Sequence, residues 1–339
     1  MSMSLAPALP VSRHLLIGGL AVLVGPLFIG SLSAGRAPLA LLATLRQVLA
    51  QEPSLLGLVL VEIRLPRAVL GLMVGATLGL AGAALQGLTR NPLAEPGLIG
   101  VSGSAALGAV GVFYFGLAQA FPPALPLGGM LGAAVGAALV LLLAGRGASP
   151  LTLILAGVAV TSLAGALTSL ALNLAPSLYA AFEIVFWLMG SLADRSLDHV
   201  WMAAPFMVAG WVVLLSLGRP LDALSLGDEA ARSLGFDIGR VGVRLVIGTA
   251  LCVGAAVAVA GAIGFVGLVV PHLLRPLVGH RPSRVLVPSM LGGAALLLAA
   301  DIVVRLLPGW PELQLGIITA LIGAPFFLVL VLRGRRGEA

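Results

Sequence analysis

The chain contains no lysine: all 19 of its basic residues are arginine. A nucleotide-binding P-loop places a lysine after its second glycine to reach the phosphates. That motif is therefore excluded, and any ATP-driven step must take its nucleotide site from another polypeptide. Cysteine is nearly as scarce. The single Cys252 rules out an intrachain disulfide or cysteine metal cluster and reads as a small core residue. Charge is scarce too: 9% of residues are charged, against roughly a quarter in soluble domains. This leaves no room for a sizeable soluble domain. The net charge of +6 is not a nucleic-acid footprint, because the arginines lie at the ends of apolar runs.

What is present is hydrophobic: 60% of the residues, with a mean hydropathy of +1.13. The 45 glycines and 22 prolines suit membrane helices, where small residues permit close packing and breaks are tolerated inside a bundle. The apolar runs predict an all-α, polytopic membrane protein, a single domain over 1–339 with about ten transmembrane helices. These are expected at roughly 15–34, 66–88, 93–116, 124–145, 151–174, 199–217, 242–261, 263–279, 285–307 and 313–332. Arg13 precedes the first run, which reads as an uncleaved span. An even number of spans puts both termini on one side. Most arginines face the cytoplasm if the termini do, so both are expected there.

Three arginines run against that bias. Arg64 and Arg67 open the second span and Arg305 closes the ninth, all at the outer face, where Arg36, Arg46 and Arg195 are also expected. They read either as interfacial anchors or as an outer docking surface for an acidic partner, for which the planar guanidinium suits carboxylates. Asp301, one helical turn before Arg305, could neutralise it locally. Gly71, Gly75, Gly79 and Gly82 recur at helical spacing and predict a close helix contact. At the inner end of that span, Asn91-Pro92-Leu93 breaks the chain, since proline holds the preceding residue extended. It reads as an ordinary turn or as an inner constriction lined by Asn91 and Leu93, with Glu95-Pro96-Gly97 holding the break.

Gly157, Thr161, Gly165, Thr168, Ser169 and Asn173 share one face of the fifth span. That face either packs on a neighbour or lines a path. The stretch Pro176 to Arg195, with Tyr179, Phe182, Phe186, Trp187 and Met189, is expected outside, as an interfacial belt or a vestibule lip. The longest inner loop, 219–240, is patterned around Gly227, Asp228, Glu229, Ala230, Ala231, Arg232, Leu234 and Gly235. The acids suit a helix N-terminus and Gly235 its end. Leu226, Ala230, Ala231 and Leu234 are expected to form one apolar face, lying on the membrane or in a partner's groove. His272, beside a proline break, reads as a hydrogen-bonded structural residue.

Together these stretches resemble one family, the transmembrane subunits of type II ABC importers for ferric siderophores, haem and cobalamin. The resemblance is carried by Arg64-Leu-Pro-Arg67, Asn91-Pro-Leu-Ala-Glu-Pro-Gly97, Leu155-Ala-Gly157, Trp187-Leu-Met-Gly190 and Gly227-Asp-Glu-Ala-Ala-Arg-Ser-Leu-Gly235. Ala260-Gly-Ala-Ile-Gly-Phe-Val-Gly267, Val270-Pro-His272, Ala300-Asp301 and Leu321-Ile-Gly-Ala-Pro325 continue it in order across roughly 60–332. It implies a permease that acts as a homodimer around a central path in the bacterial inner membrane. Two cytoplasmic ATPase subunits would carry ATP and Mg, and a periplasmic binding protein would deliver the substrate. This chain would bind no cofactor or metal of its own and perform no covalent chemistry. Arg64, Arg67 and Arg305 would then receive acidic residues of the binding protein, Asn91 and Leu93 would form part of a cytoplasmic gate, and 219–240 would couple to the ATPase. The segment Ala148-Ser149-Pro150-Leu151-Thr152 departs from relatives that place hydroxyl residues there as a further gate. The substrate expected is a bulky iron chelate, a ferric siderophore or haem; the alternatives are cobalamin and, in a different class, an ion-gradient-driven transporter. That last class usually places ionisable groups near the midplane, whereas the acids here fall near span ends or in loops. A membrane protein without flux is a further rival, and the polar face of the fifth span speaks against it.

Overall fold

The computed structural model describes residues 12–35, 39–121, 123–307 and 313–337, which form helices joined by turns. In chain order these are α1 (Arg13–Ser33), α2 (Leu41–Leu49), α3 (Leu55–Leu58), α4 (Leu65–Thr89), α5 (Val101–Tyr114), α6 (Leu117–Ala120), α7 (Ala124–Ala144) and α8 (Pro150–Asn173). There follow α9 (Leu178–Leu188), α10 (Leu197–Leu215), α11 (Gly218–Leu224), α12 (Asp228–Ser233), α13 (Ile238–Ala260), α14 (Val266–Leu274), α15 (Pro282–Leu306) and α16 (Leu315–Gly337). A π-helical turn, Val59–Arg64, joins α3 to α4. The two ends of the expected 1–339 domain, 1–11 and 338–339, and Arg36 lie outside the described residues.

The all-α, multi-pass expectation is met. Among the described residues seven helices are long and apolar enough to cross a membrane: α1, Leu55–Thr89 taken as one, α7, α8, α10, α13 and α15. The expected spans at 93–116, 263–279 and 313–332 correspond to shorter apolar helices, Val101–Tyr114, Val266–Val278 and Leu315–Leu330. The first of these has 14 residues and reaches about 21 Å at 1.5 Å per residue, less than the ~30 Å hydrocarbon core. Its start is delayed because Pro92 and Pro96 lack N–H donors and Gly100 turns left-handed at φ 80°. One expectation is corrected. The second span begins at Leu55, not near 66, because the π turn carries the helix through Glu62. The stretch 176–195, expected as an interfacial belt or a vestibule lip, holds α9, whose N-cap Ser177 accepts from the N–H of Ala180 at 3.1 Å.

Helix α4 is the centre of the bundle: 89% of the apolar window in Leu55–Thr89 is buried, against 17% in α1. A helix apolar on every side must be enclosed by others, and its glycines make that enclosure tight. Gly75 and Gly79 meet the backbone of α15 at Gly293 and Ser289, and Gly82 meets Gly267 of α14. A Cβ at Gly71 would lie 3.2 Å from Leu298. The close contact expected of this stripe is therefore present. Some polar groups in the interior are paired, as an apolar medium favours, while Thr249 and Ser289 keep buried hydroxyls without a hydrogen-bond partner. Trp211 donates to Thr77 at 2.8 Å, and the amide of Gln86 donates to the carbonyls of Gly267 and Leu268 at 3.4 and 3.3 Å.

Candidate functional site

Charged residues gather at the two ends of the α4–α15 pair. At the end where α4 begins, Arg67 donates from Nε and Nη2 to Asp301 Oδ1 at 2.9 and 2.7 Å. Arg305, one turn beyond Asp301, pairs with its other oxygen at 2.7 Å. The acid is 1% exposed and Arg67 8%. The arginines also close the end of α1, whose last carbonyls have no intrahelical donors. Arg64 donates to Leu32 O and Ser33 O at 3.1 and 2.7 Å; Arg305 donates to Ser31 O and Ala34 O at 2.8 and 3.1 Å. Local neutralisation by Asp301 is thus present and reaches both arginines. The picture of three arginines presented to an outside partner is altered: their guanidiniums are turned inward onto α1 and α15. All three gather at the end of α1.

At the opposite end, α4 stops at Arg90, whose backbone is left-handed at φ 53°, ψ 26°. Asn91 and Leu93 then form a tight turn: Asn91 Oδ1 accepts from the N–H of Leu93 at 2.9 Å, and Thr89 Oγ1 accepts from the N–H of Asn91 at 3.3 Å. Asn91 is exposed and Leu93 partly so. Glu95 follows this turn and lies near the backbone N–H of Phe265 at the α13–α14 corner. Burial pushes its carboxyl above the ordinary range, while the Phe265 N–H works the other way. Ser149, in the segment that departs from the relatives' further gate, caps α8: its Oγ accepts from the N–H of Thr152 at 3.2 Å.

The stretch 219–240 takes in most of α11 and all of α12. Asp228 and Glu229 open α12, and Gly235 follows it at φ 86°. Gly227 precedes it at φ 109°. The single apolar face expected here is not found. Ala231 is fully buried, while Leu226 and Leu234 are 71% and 60% exposed on the other side. A helix of 6 residues lacks the length to carry all four on one stripe, since Leu226 and Leu234 lie outside its ends. The loop is bolted to its own chain. Arg90 pairs with Asp228 at 2.7 Å, and Asp222 accepts from the N–H and hydroxyl of Ser283, at the start of α15, at 2.8 and 2.6 Å. Arg232 stays exposed, and Ala230 half-buried.

The face of α8 divides. Gly157 meets the backbone at Leu98 and Ile99, and Thr161 donates to Gly157 O and Gly97 O at 2.9 and 3.2 Å. That half packs. Gly165 and Ser169 are exposed and Thr168 partly so; nothing lies within 4 Å of a Cβ placed on Gly165. On α9, Tyr179, Phe182 and Phe186 are exposed, whereas Trp187 turns inward, edge-on to Phe113. Leu188 and Met189 border an open apolar cavity of about 1000 Å³ completed by Ala262, Gly316, Leu321 and Pro325. His272 stacks edge-on against Phe326. Sequence reasoning missed Gln86, Asp222 and Ser283, and did not connect Arg90 to Asp228. Nothing in a single sequence pairs residues 138 positions apart.

The chain is 42% identical over 276 residues to the vitamin B12 import system permease protein BtuC of Klebsiella pneumoniae, covering 81% of this chain and 82% of that one. It is 43% identical over 285 residues to the cobalamin import system permease protein BtuC of Halobacterium salinarum, covering 82% and 74%. A solved structure of a metal-chelate type ABC transporter in an inward-facing conformation superposes with a TM-score of 0.81 at 36% identity, over 95% of this chain and 99% of that one. The model of the FecCD transport family matches residues 21–333, and this chain belongs to that family as a multi-pass membrane permease of an ABC importer.

Proposed function

We propose that this chain is the membrane-spanning half of an ATP-driven importer for a corrinoid, cobalamin, and that two copies enclose the path. The sequence alone leaned to a ferric siderophore or haem. The reading moves to cobalamin on one observation, a likeness exceeding 40% identity over four-fifths of the chain to permeases named for vitamin B12. Cobalamin is itself a metal chelate, which agrees with the name of the structural neighbour. The proposed partners are a second copy, two cytoplasmic ATPase subunits and a periplasmic binding protein, with both termini in the cytoplasm.

The division of labour follows from the two ends of the bundle. The binding protein's acidic residues engage the surface around Arg64, Arg67 and Arg305. ATP closes the ATPases, which hold the coupling loop by Leu226, α12 and Leu234, and the turn at Asn91 and Leu93 opens or shuts the inner end. Gly165, Thr168 and Ser169 face the path. The chain itself contributes positioning and gating, not bond chemistry. An ion-gradient mechanism has little support, because the buried acid of the spans, Asp301, is matched by two arginines. The test is a titration of the cognate binding protein with cobalamin, ferric siderophores and haem. Cobalamin should bind most tightly; preference for an iron chelate would overturn the substrate assignment.

A further inference from the structure

We propose that Arg90 is a positioning residue that ties the coupling segment to the inner turn of the same chain, so that displacement of α12 moves Asn91 and Leu93 directly. The inference rests on the importer reading above and names the link that reading lacks. Arg90 occupies a left-handed backbone conformation that residues other than glycine adopt rarely. Its side chain crosses to Asp228, the first residue of α12, at 2.7 Å. The residues that follow move as one unit, because Asn91 is bonded back to Thr89 and Leu93 to Asn91. A pull on Arg90 therefore reaches both gate positions through a few covalent bonds and two hydrogen bonds.

The body of α4 is poorly placed to transmit the same motion, since Gly75, Gly79 and Gly82 lie against the backbones of α15 and α14. Packed elements of this kind shift as rigid bodies or not at all. The far end of the coupling segment makes a parallel contact. A Cβ on Gly239 would lie 2.9 Å from the Cα of Gly147, in the turn before Ser149. One segment thus touches both inner turns, by an ion pair at one and by backbone contact at the other. The Arg90 and Asp228 side chains are 45% and 34% exposed, and pairs of that kind contribute little to folding. Their replacement leaves the helices standing and the coupling readable.

The native thiol, Cys252, is buried, so Leu93→Cys introduces one accessible reporter. The permease carrying that change is assembled with its ATPase subunits in proteoliposomes. Labelling by a membrane-impermeant maleimide is timed with and without ATP and vanadate. The labelling rate should differ severalfold between nucleotide states. Adding Arg90→Glu should abolish that difference while ATP hydrolysis continues; adding Asp228→Arg should abolish it as well, and the two together should restore it. Nucleotide-dependent labelling that survives both single changes, or that the double change fails to restore, would overturn the link. So would a turn that ignores nucleotide in the unaltered background. A permease that recruits no ATPase at all would sink the importer reading, and this inference with it.

Discussion

Arg67 and Asp301 stand 234 positions apart in the chain and meet through two hydrogen bonds at 2.9 and 2.7 Å. The second oxygen of the same carboxylate holds Arg305, so one buried acid serves two arginines. Removing it strands positive charge in an apolar setting, which costs more than the intact pair contributes. Asp301→Ala should lower unfolding stability by about 3 kcal/mol, the low end of the range for broken buried pairs, because Arg305 keeps the carbonyls of Ser31 and Ala34. Thermal unfolding in detergent measures this, and an unchanged midpoint would refute the shared counter-ion. For the same reason Arg67→Glu confounds docking with folding. Arg64→Lys and Arg305→Lys keep the charge but lose the fork that holds the α1 carbonyls, so docking of these variants is read beside their unfolding midpoints.

The glycines of α4 differ from Gly165 of α8 in a measurable way. A methyl group at Gly79 or Gly82 overlaps a backbone carbonyl of a neighbouring helix, whereas one at Gly165 meets nothing within 4 Å. Gly79→Ala and Gly82→Ala should each cost about 1–3 kcal/mol by overpacking. Gly165→Ala should be neutral or gain up to ~1 kcal/mol of helix propensity. Unfolding midpoints of the three variants, compared side by side, decide the matter; equal effects would contradict the packing described.

Glu95 supplies a pH dependence with a defined sign. Its carboxyl is raised by burial, so the folded chain holds that proton to higher pH than the unfolded chain does. Where the folded state binds more protons, stability falls as pH rises. The contribution of Glu95 is therefore full below the ordinary carboxylate range and is lost as pH climbs through the raised value. Glu95→Gln keeps an acceptor for the Phe265 N–H and removes the titration. The unfolding midpoint of the native chain should decline against that of Glu95→Gln as pH rises from the acid side. Parallel pH profiles would place the carboxyl in water.

Leu226 and Leu234 are large apolar side chains left in the open beside α12. Leu234→Asp should weaken association with the ATPase at least about tenfold, equivalent to ~1.4 kcal/mol. The fold should persist, since the side chain touches little of its own chain. Co-purification and unfolding midpoint separate the two effects. Full recovery of the ATPase with Leu234→Asp would remove this residue from the interface.

Composition and pattern alone determined that the chain is helical, apolar and many times membrane-crossing, that it has no lysine for a P-loop, and that the glycine stripe of α4 packs closely. Those conclusions depend on residue type and local spacing, which a single sequence displays. The extent of the spans was less legible. The π turn before Leu65 and the late start of α5 at Val101 arise where helix geometry yields to proline, glycine and neighbouring packing. Local spacing grouped Leu226, Ala230, Ala231 and Leu234 on one face, and only contact with the bundle showed that Ala231 turns inward while the leucines turn out. The pairings Arg67 with Asp301, Arg90 with Asp228 and Asp222 with Ser283 were decided by tertiary structure alone. An ion pair between distant residues leaves no periodicity behind; it exists because packing carries two chain segments to the same end of the bundle.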